Sequence, residues 1–357
     1  MKKILSLFLF SLLTMAVLAG CGPSSPANEE TKPAKLSVVT TIFPLYDWTR
    51  EVIGGENSHV ELTMLLDKGV DLHSYQPTAE DVLKISNCDV FIYVGGESDA
   101  WVKDALKTAT NKNMIVLNLM DVLGSRAKVE EQAEGMEEHH HHHDHGDAHE
   151  EEEHHHDHDA LHADHDHEGH EEGEHHHEPE YDEHIWLSLK NAEVLTDAIA
   201  EALSKADAAH ADAYRKNAAV YREKLAALDK EYQETIAGAP NKTLLFCDRF
   251  PFRYLVDDYG LKYYAAFSGC SAETEASFET VAFLANKLAE LRLPAVLTIE
   301  GRNHKIAETV IQNAQMPEEK VLTLDSLQST TAGDVTKGAT YLGVMKKNLD
   351  VLKQALR

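Results

Sequence analysis

Two short stretches hold residues of a type and spacing that can do chemistry. One is GVDLHSYQP (69–77), with His73 two residues after Asp71; the other is DEHIWLSLKN (182–191), with His184 directly behind two acids. A neutral imidazole beside carboxylates is a natural ligand for a divalent first-row metal ion. Between the two stretches lies a third feature. Eighteen of the 23 histidines fall between 139 and 177, interleaved with Asp and Glu. Residues 137–183 hold 20 acids and no Lys or Arg, so the rest of the chain carries only −8 of the formal −28 charge. The acidity is a local device, and no basic nucleic-acid footprint exists. The chemistry indicated is reversible coordination of a cation. A zinc hydrolase with Glu300 as general base is the enzymatic alternative. No HExxH, Gly-x-Ser-x-Gly or phosphate-binding glycine loop accompanies it.

Five histidines lie outside the rich tract: His59, His73, His184, His210 and His304. His59 precedes an apolar run and His210 opens a long helical pattern, so both read as solvated. His304 follows an apolar strand ending at Ile299, on the loop face where open α/β sheets take ligands.

Strands are expected at 36–42, 60–66, 89–95 and 114–119, and again at 243–247, 261–267, 295–299 and 320–324. Helices fit between them: one opened by Pro44, one capped by Thr78 with Asp81, one capped by Ser98 and running to about Thr108, and a last one from about Thr340 to Leu356. Near-continuous apolar strands alternating with helices indicate parallel sheets covered on both faces. The fold class is α/β, with two β/α lobes of similar size. Between them, larger or apolar residues at 214, 218, 221, 225, 228, 232 and 236 make a helical stripe. Residues 208–237 contain no Pro or Gly and would form a rigid bar of about 45 Å.

The first residues read as a targeting segment. Lys2 and Lys3 precede an apolar run, Ile4 to Ala19, which would span only about 24 Å as a helix. Leu18-Ala19-Gly20-Cys21 resembles the bacterial lipobox, which implies lipid attachment at Cys21, and residues 22–34 are a polar, Pro-containing tether. Cys88, Cys247 and Cys270 then face an extracytoplasmic setting, where a Cys247–Cys270 disulfide is one arrangement to test.

The whole mature chain resembles the zinc/manganese-type (cluster A-I) solute-binding lipoproteins of bacterial metal ABC importers. The family's motif Gly-x-x-Pro-His-x-Tyr-x-Pro matches GVDLHSYQP with Leu72 in place of Pro. Its Asp-Pro-His-x-Trp-x-x-Pro-x-Asn matches DEHIWLSLKN with Glu183 and Leu189 replacing the prolines. The tail LTLDSLQ…YLGVMKKNLDVLKQAL resembles its C-terminal motif. The resemblance implies metal ligation by His73 and His184, with Asp325 as the fourth ligand. The family's third ligand falls in a context that here reads LLFCDRFPFRYL, where the matching offset is Arg249, which cannot bind a cation. A one-residue insertion makes Asp248 the third ligand, with Glu300 in reserve and Cys270 behind it. Binding is expected to weaken near pH 6, as imidazoles protonate.

The resemblance further implies a monomeric extracytoplasmic receptor, held to the cell membrane by its lipid, that captures Zn2+ in an interlobe cleft and passes it to an ABC permease and its ATPase. Two His with two carboxylates also suit Mn2+, but a tract of imidazoles favours zinc. A metal-buffering or adhesive surface lipoprotein is the other alternative. The expected organisation is a signal peptide (1–20), a tether (21–35), an N-terminal lobe (36–125), a disordered His-rich metal-scavenging loop (126–183), linking helices (184–239) and a C-terminal lobe (240–357).

Overall fold

The computed structural model describes residues 35–55, 59–137, 180–271, 275–301 and 304–357. Cys21, the tether and nearly all of the His-rich tract lie outside the described residues. Among those described, no helix is long and apolar enough to cross a membrane.

The N-terminal lobe is a parallel sheet of β1 (Leu36–Thr40), β2 (Val60–Met64), β3 (Val90–Tyr93) and β4 (Ile115–Asn118), in the order β2-β1-β3-β4. Helices α1 (Phe43–Ile53), α2 (Ala79–Asn87), α3 (Val102–Lys107) and α4 (Leu119–Leu123) follow successive strands. Pro stands in the first turn of α1, where its missing N–H costs nothing. Thr78 and Asp81 form a reciprocal capping box on α2. The cap expected from Ser98 is absent: α3 begins at Val102, with Trp101 before it and no side-chain cap.

Two helices connect the lobes, α5 (Leu189–Ala206) and α6 (Ala211–Ala237). The stripe read from sequence is the buried face of α6: Tyr214, Ala218, Tyr221, Leu225, Leu228, Tyr232 and Ile236. Each large apolar side chain withdrawn from water in this way contributes about 1.5–3 kcal/mol. The bar packs on α5 and α1 and also on two helices of the second lobe, α7 (Arg253–Tyr259) and α11 (Tyr341–Ala355). The hydroxyl of Tyr232 donates to the carbonyl of Met345 in α11 at 2.6 Å.

The second lobe repeats the first. Strands β5 (Thr243–Phe250), β6 (Lys262–Ser268), β7 (Ala295–Thr298) and β8 (Lys320–Thr323) lie parallel in the order β6-β5-β7-β8. Helices α8 (Phe278–Leu291), α9 (Lys305–Asn313) and α10 (Ala332–Thr336) complete it. Alternation along β5 divides the lobe's core. Leu244 and Phe246 join the large core shared with the bar. Leu245 and Cys247 face the smaller cluster under α8 and α9. That division settles the disulfide question, since Cys247 is sealed in the small cluster and both Cys247 and Cys270 are free thiols.

The described flanks of the His-rich tract are part of the body. Val129 and Tyr181 form an antiparallel bridge. The amide of Asp182 donates to Lys128 at 2.8 Å, and that of Glu137 donates to Ala266 at 3.0 Å. The chain is therefore already part of the lobe at Tyr181, three residues before His184.

Candidate metal centre

His73 lies on a short 3-10 turn (Leu72–Ser74) in the connection after β2, at the C-terminal edge of the first sheet. Its position is fixed through the backbone. The Asp71 carboxylate accepts from the His73 amide at 3.0 Å and, through its other oxygen, from the Arg249 guanidinium at 2.7 Å. Burial alone would raise the Asp71 carboxyl, but Arg249 and these bonds bring it below its usual range. Arg249, excluded as a ligand on chemical grounds, thus ties the second lobe to the turn that carries His73. On the ring, Nδ1 lies 2.7 Å from the Ser98 hydroxyl and 3.7 Å from Glu183 Oε2. Glu183 in turn accepts from the Ser98 amide at 2.8 Å. Ser98 is free to support the ring because it caps no helix.

His184 is fully buried and stands just before a 3-10 turn (Ile185–Leu187). Its segment is held from several sides. The Tyr254 hydroxyl donates to the Asp182 carbonyl at 2.8 Å, the Trp186 indole to the Ser326 carbonyl at 2.8 Å, and the Tyr341 hydroxyl to the Trp186 carbonyl at 2.6 Å. One carboxylate oxygen of Asp182 accepts from the His184 amide at 2.8 Å and lies 2.9 Å from ring Nδ1. A carboxylate can only accept, so Nδ1 carries the proton and a neutral ring presents its lone pair at Nε2.

These restraints bring the two Nε2 atoms to 3.1 Å from one another. The Ser98 hydroxyl can donate to His73 Nδ1, so a neutral His73 can donate from Nε2 to the lone pair of His184, and a cation between the two nitrogens replaces that hydrogen bond. Burial first, and then the neighbouring His184, hold the His73 imidazole down at about 4, so this ring is neutral and ready to coordinate at pH 7. Loss of binding near pH 6 is therefore not expected from His73.

The third member is Cys270. Ligand atoms of His73, His184 and Cys270 all lie within 4.8 Å of one another. Cys270 follows β6, and its amide donates to Glu130 at 3.1 Å. Gly269 permits the approach: a Cβ there would sit 2.9 Å from the Phe250 carbonyl oxygen and 3.0 Å from His184 Cε1. Burial, then the charges of Glu130 and Asp182, push the thiol well above its ordinary value, so coordination must expel its proton.

The carboxylates expected from sequence are placed differently. The register of β5 against β6 shifts between Phe246 and Arg249. This irregularity engages both Asp248 oxygens with amides, those of Arg249 at 2.8 Å and Ile299 at 3.3 Å. Glu300 accepts from the Ser326 amide and hydroxyl, each at 2.7 Å, and from Ser329 at 3.2 Å. Asp325 accepts from the Leu327 amide at 2.8 Å, and burial together with Glu300 raises it to about 6. Asp248, Glu300 and Asp325 do not join the group formed by the two imidazoles and the thiol. Each is occupied in shaping second-lobe loops. His304 is the residue before α9 and is likewise outside the group.

Comparison with known proteins agrees with this architecture. A family model described as the zinc-uptake complex component A, periplasmic, matches residues 38–355. The chain belongs to this family. It is 34% identical over 355 residues to the zinc-binding lipoprotein AdcA of Streptococcus pneumoniae, covering 99% of this chain and 61% of the relative. The chain thus spans about three fifths of such relatives. It is 30% identical over 356 residues to the high-affinity zinc uptake system protein ZnuA of Bacillus subtilis, covering 99% and 98%. Among solved structures, the Zn(II)-bound ZnuA-like domain of S. pneumoniae AdcA aligns with a TM-score of 0.64 at 28% identity, over 90% of this chain and 99% of that one. The metal-dependent lipoprotein YcdH of B. subtilis aligns at 0.67 and 25%, over 90% and 100%.

Proposed function

We propose that this chain is an extracytoplasmic receptor that captures Zn2+ between its lobes, through His73, His184 and Cys270, and delivers it to an ABC permease driven by its ATPase. The observation that carries the reading is the opposition of two oriented imidazole Nε2 atoms, that of His184 buried, at 3.1 Å, with a thiol beside them. Two imidazoles and a thiolate are a softer set than two His and two carboxylates. They favour zinc over manganese. Relatives named for zinc binding and zinc uptake support the same cargo.

Three protein ligands leave one tetrahedral position open, which suits a cargo that must be released. Release follows when the permease separates the segments bearing His73 and Cys270, which the Arg249–Asp71 contact otherwise holds together. A lipid on Cys21 keeps the receptor at the membrane. The histidine tract, which joins the body beside His184, collects zinc in weak sites near the cleft. The role is capture and delivery of a cation, which fits a family of zinc-uptake components and involves no chemical transformation of the cargo.

The test is zinc uptake in a producing strain that lacks its own copy and carries either the intact chain or the His73→Ala/His184→Ala double variant. The intact chain should restore growth under zinc limitation and the double variant should not. Equal rescue by both would overturn the proposal.

A further inference from the structure

The fold assembles a second group of potential ligands from histidines that sequence alone marks as solvated. His59 sits at the entry to β2, and its carbonyl accepts from the Leu36 amide at 2.8 Å. Asp207 ends α5, and His210 begins α6. The His59 and His210 rings stack at 3.8 Å between centroids, 16° from parallel. Asp207 Oδ2 gathers the group: it lies 2.6 Å from His210 Nδ1 and 3.6 Å from His59 Nε2, and it accepts from the Tyr214 hydroxyl at 2.8 Å. His59 Nε2 is also 3.2 Å from that hydroxyl. One ligand atom from each of His59, Asp207 and His210 lies within 4.8 Å of the other two.

We propose that His59, Asp207 and His210 form an accessory surface site for a borderline divalent metal ion such as Zn2+. An ion there takes the place of the protons by which His210 Nδ1 meets Asp207 and His59 Nε2 meets the Tyr214 hydroxyl. Metal bonds of about 2.0–2.2 Å in tetrahedral array place neighbouring ligand atoms about 3.3 Å apart. The present separations of 2.6 and 3.6 Å reach that value by shifts of less than about 1 Å. The rings must also tilt so that the ion lies in both planes. The side chains can comply, since His59 and His210 are 30% and 44% exposed. Tyr214, buried at the base, keeps Asp207 aimed outward. The helix ends largely cancel: the N-terminus of α6 disfavours a cation and the C-terminus of α5 favours it.

The cleft lies at the C-terminal edges of the strands, whereas His59 lies at the opposite end of β2. Five residues of strand, about 16 Å, separate the two levels. The accessory site therefore fills independently of the cleft. With three ligands on an exposed surface it holds metal more weakly. Its effect is to cross-link β2 to the α5–α6 turn.

The test uses the full chain with Zn2+ as probe and free zinc set by a chelator buffer, so that the histidine tract does not distort the titration. Diethyl pyrocarbonate labelling is read peptide by peptide in a mass spectrometer. His59 and His210 should lose reactivity together, at one midpoint above that of the cleft. His59→Gln, which leaves the α5–α6 turn intact, should shift the protection of His210 to at least about tenfold higher zinc. Asp207→Ala should do the same. Unchanged labelling of both residues at saturating zinc would overturn the site, as would full protection of His210 in the His59→Gln variant.

Discussion

Asp182→Asn probes how much of the affinity comes from aiming a ligand. The substitution keeps shape and volume at a position only 2% exposed, so the fold should survive. It removes the charge from the bonds to the His184 amide and Nδ1. A hydrogen bond to a charged group contributes about 1.5–3 kcal/mol and a neutral one about 0.5–1.5. The loss of about 1–1.5 kcal/mol corresponds to roughly tenfold in affinity. The amide can also turn its NH2 toward Nδ1, which forces the proton onto Nε2, where it faces His73 and must be expelled by the metal. That raises the expected loss toward the hundredfold typical of groups that orient metal-bound histidines. Competition against a chromogenic chelator on the full chain, at one equivalent of zinc, measures it; circular dichroism checks the fold. A change within about twofold would show that His184 is not held for coordination by Asp182.

Cys270 makes the pH dependence specific. The thiol is protonated in the free protein and must ionise to bind, so each zinc should release about one proton. Affinity should then fall about tenfold per pH unit from 8 to 6, and calorimetry in buffers of different ionisation enthalpy should report the proton. Carboxylate ligands in place of the thiol would give a much shallower fall over that range, since even Asp325, raised to about 6, is mostly ionised above that pH. His73, held near 4, is neutral throughout this window and adds proton competition only as the pH approaches that value. Gly269→Ala should weaken zinc binding while its new methyl presses on His184 and the Phe250 carbonyl. Such overpacking costs about 1–3 kcal/mol, visible as a lower melting temperature. Glu300→Gln and Asp325→Asn should each reduce affinity less than Cys270→Ser in the same chelator assay.

Much of the fold is written in short-range patterns. All eight apolar runs became strands, because a parallel sheet covered on both faces needs continuous apolar segments and little else. The stripe from Tyr214 to Ile236 states its own period. Ser98 reads as a cap because a serine before an apolar run looks the same whether its hydroxyl caps a helix or supports an imidazole; only the fold brings His73 to it. Where Asp248 points depends on one register. The shift in β5 turns Asp248 onto backbone amides, and no local pattern announces it. Ser268-Gly269-Cys270 did offer a signal: a glycine and a thiol at the C-terminal end of a strand, on the edge where α/β sheets take ligands. His59 and His210 are 151 residues apart, and each by itself has the grammar of a surface histidine.

X-ray absorption at the zinc K-edge, on the full chain loaded with one equivalent of Zn2+, tests the metal centre most directly. Zn–S bonds of about 2.3 Å are well separated from Zn–N and Zn–O bonds of about 2.0–2.2 Å. The expected spectrum contains one sulfur, two imidazole nitrogens with their outer-ring scattering, and one light atom, with the sulfur lost in Cys270→Ser. A first shell of nitrogen and oxygen alone would contradict the assignment of Cys270 and return the third ligand to Asp248 or Glu300.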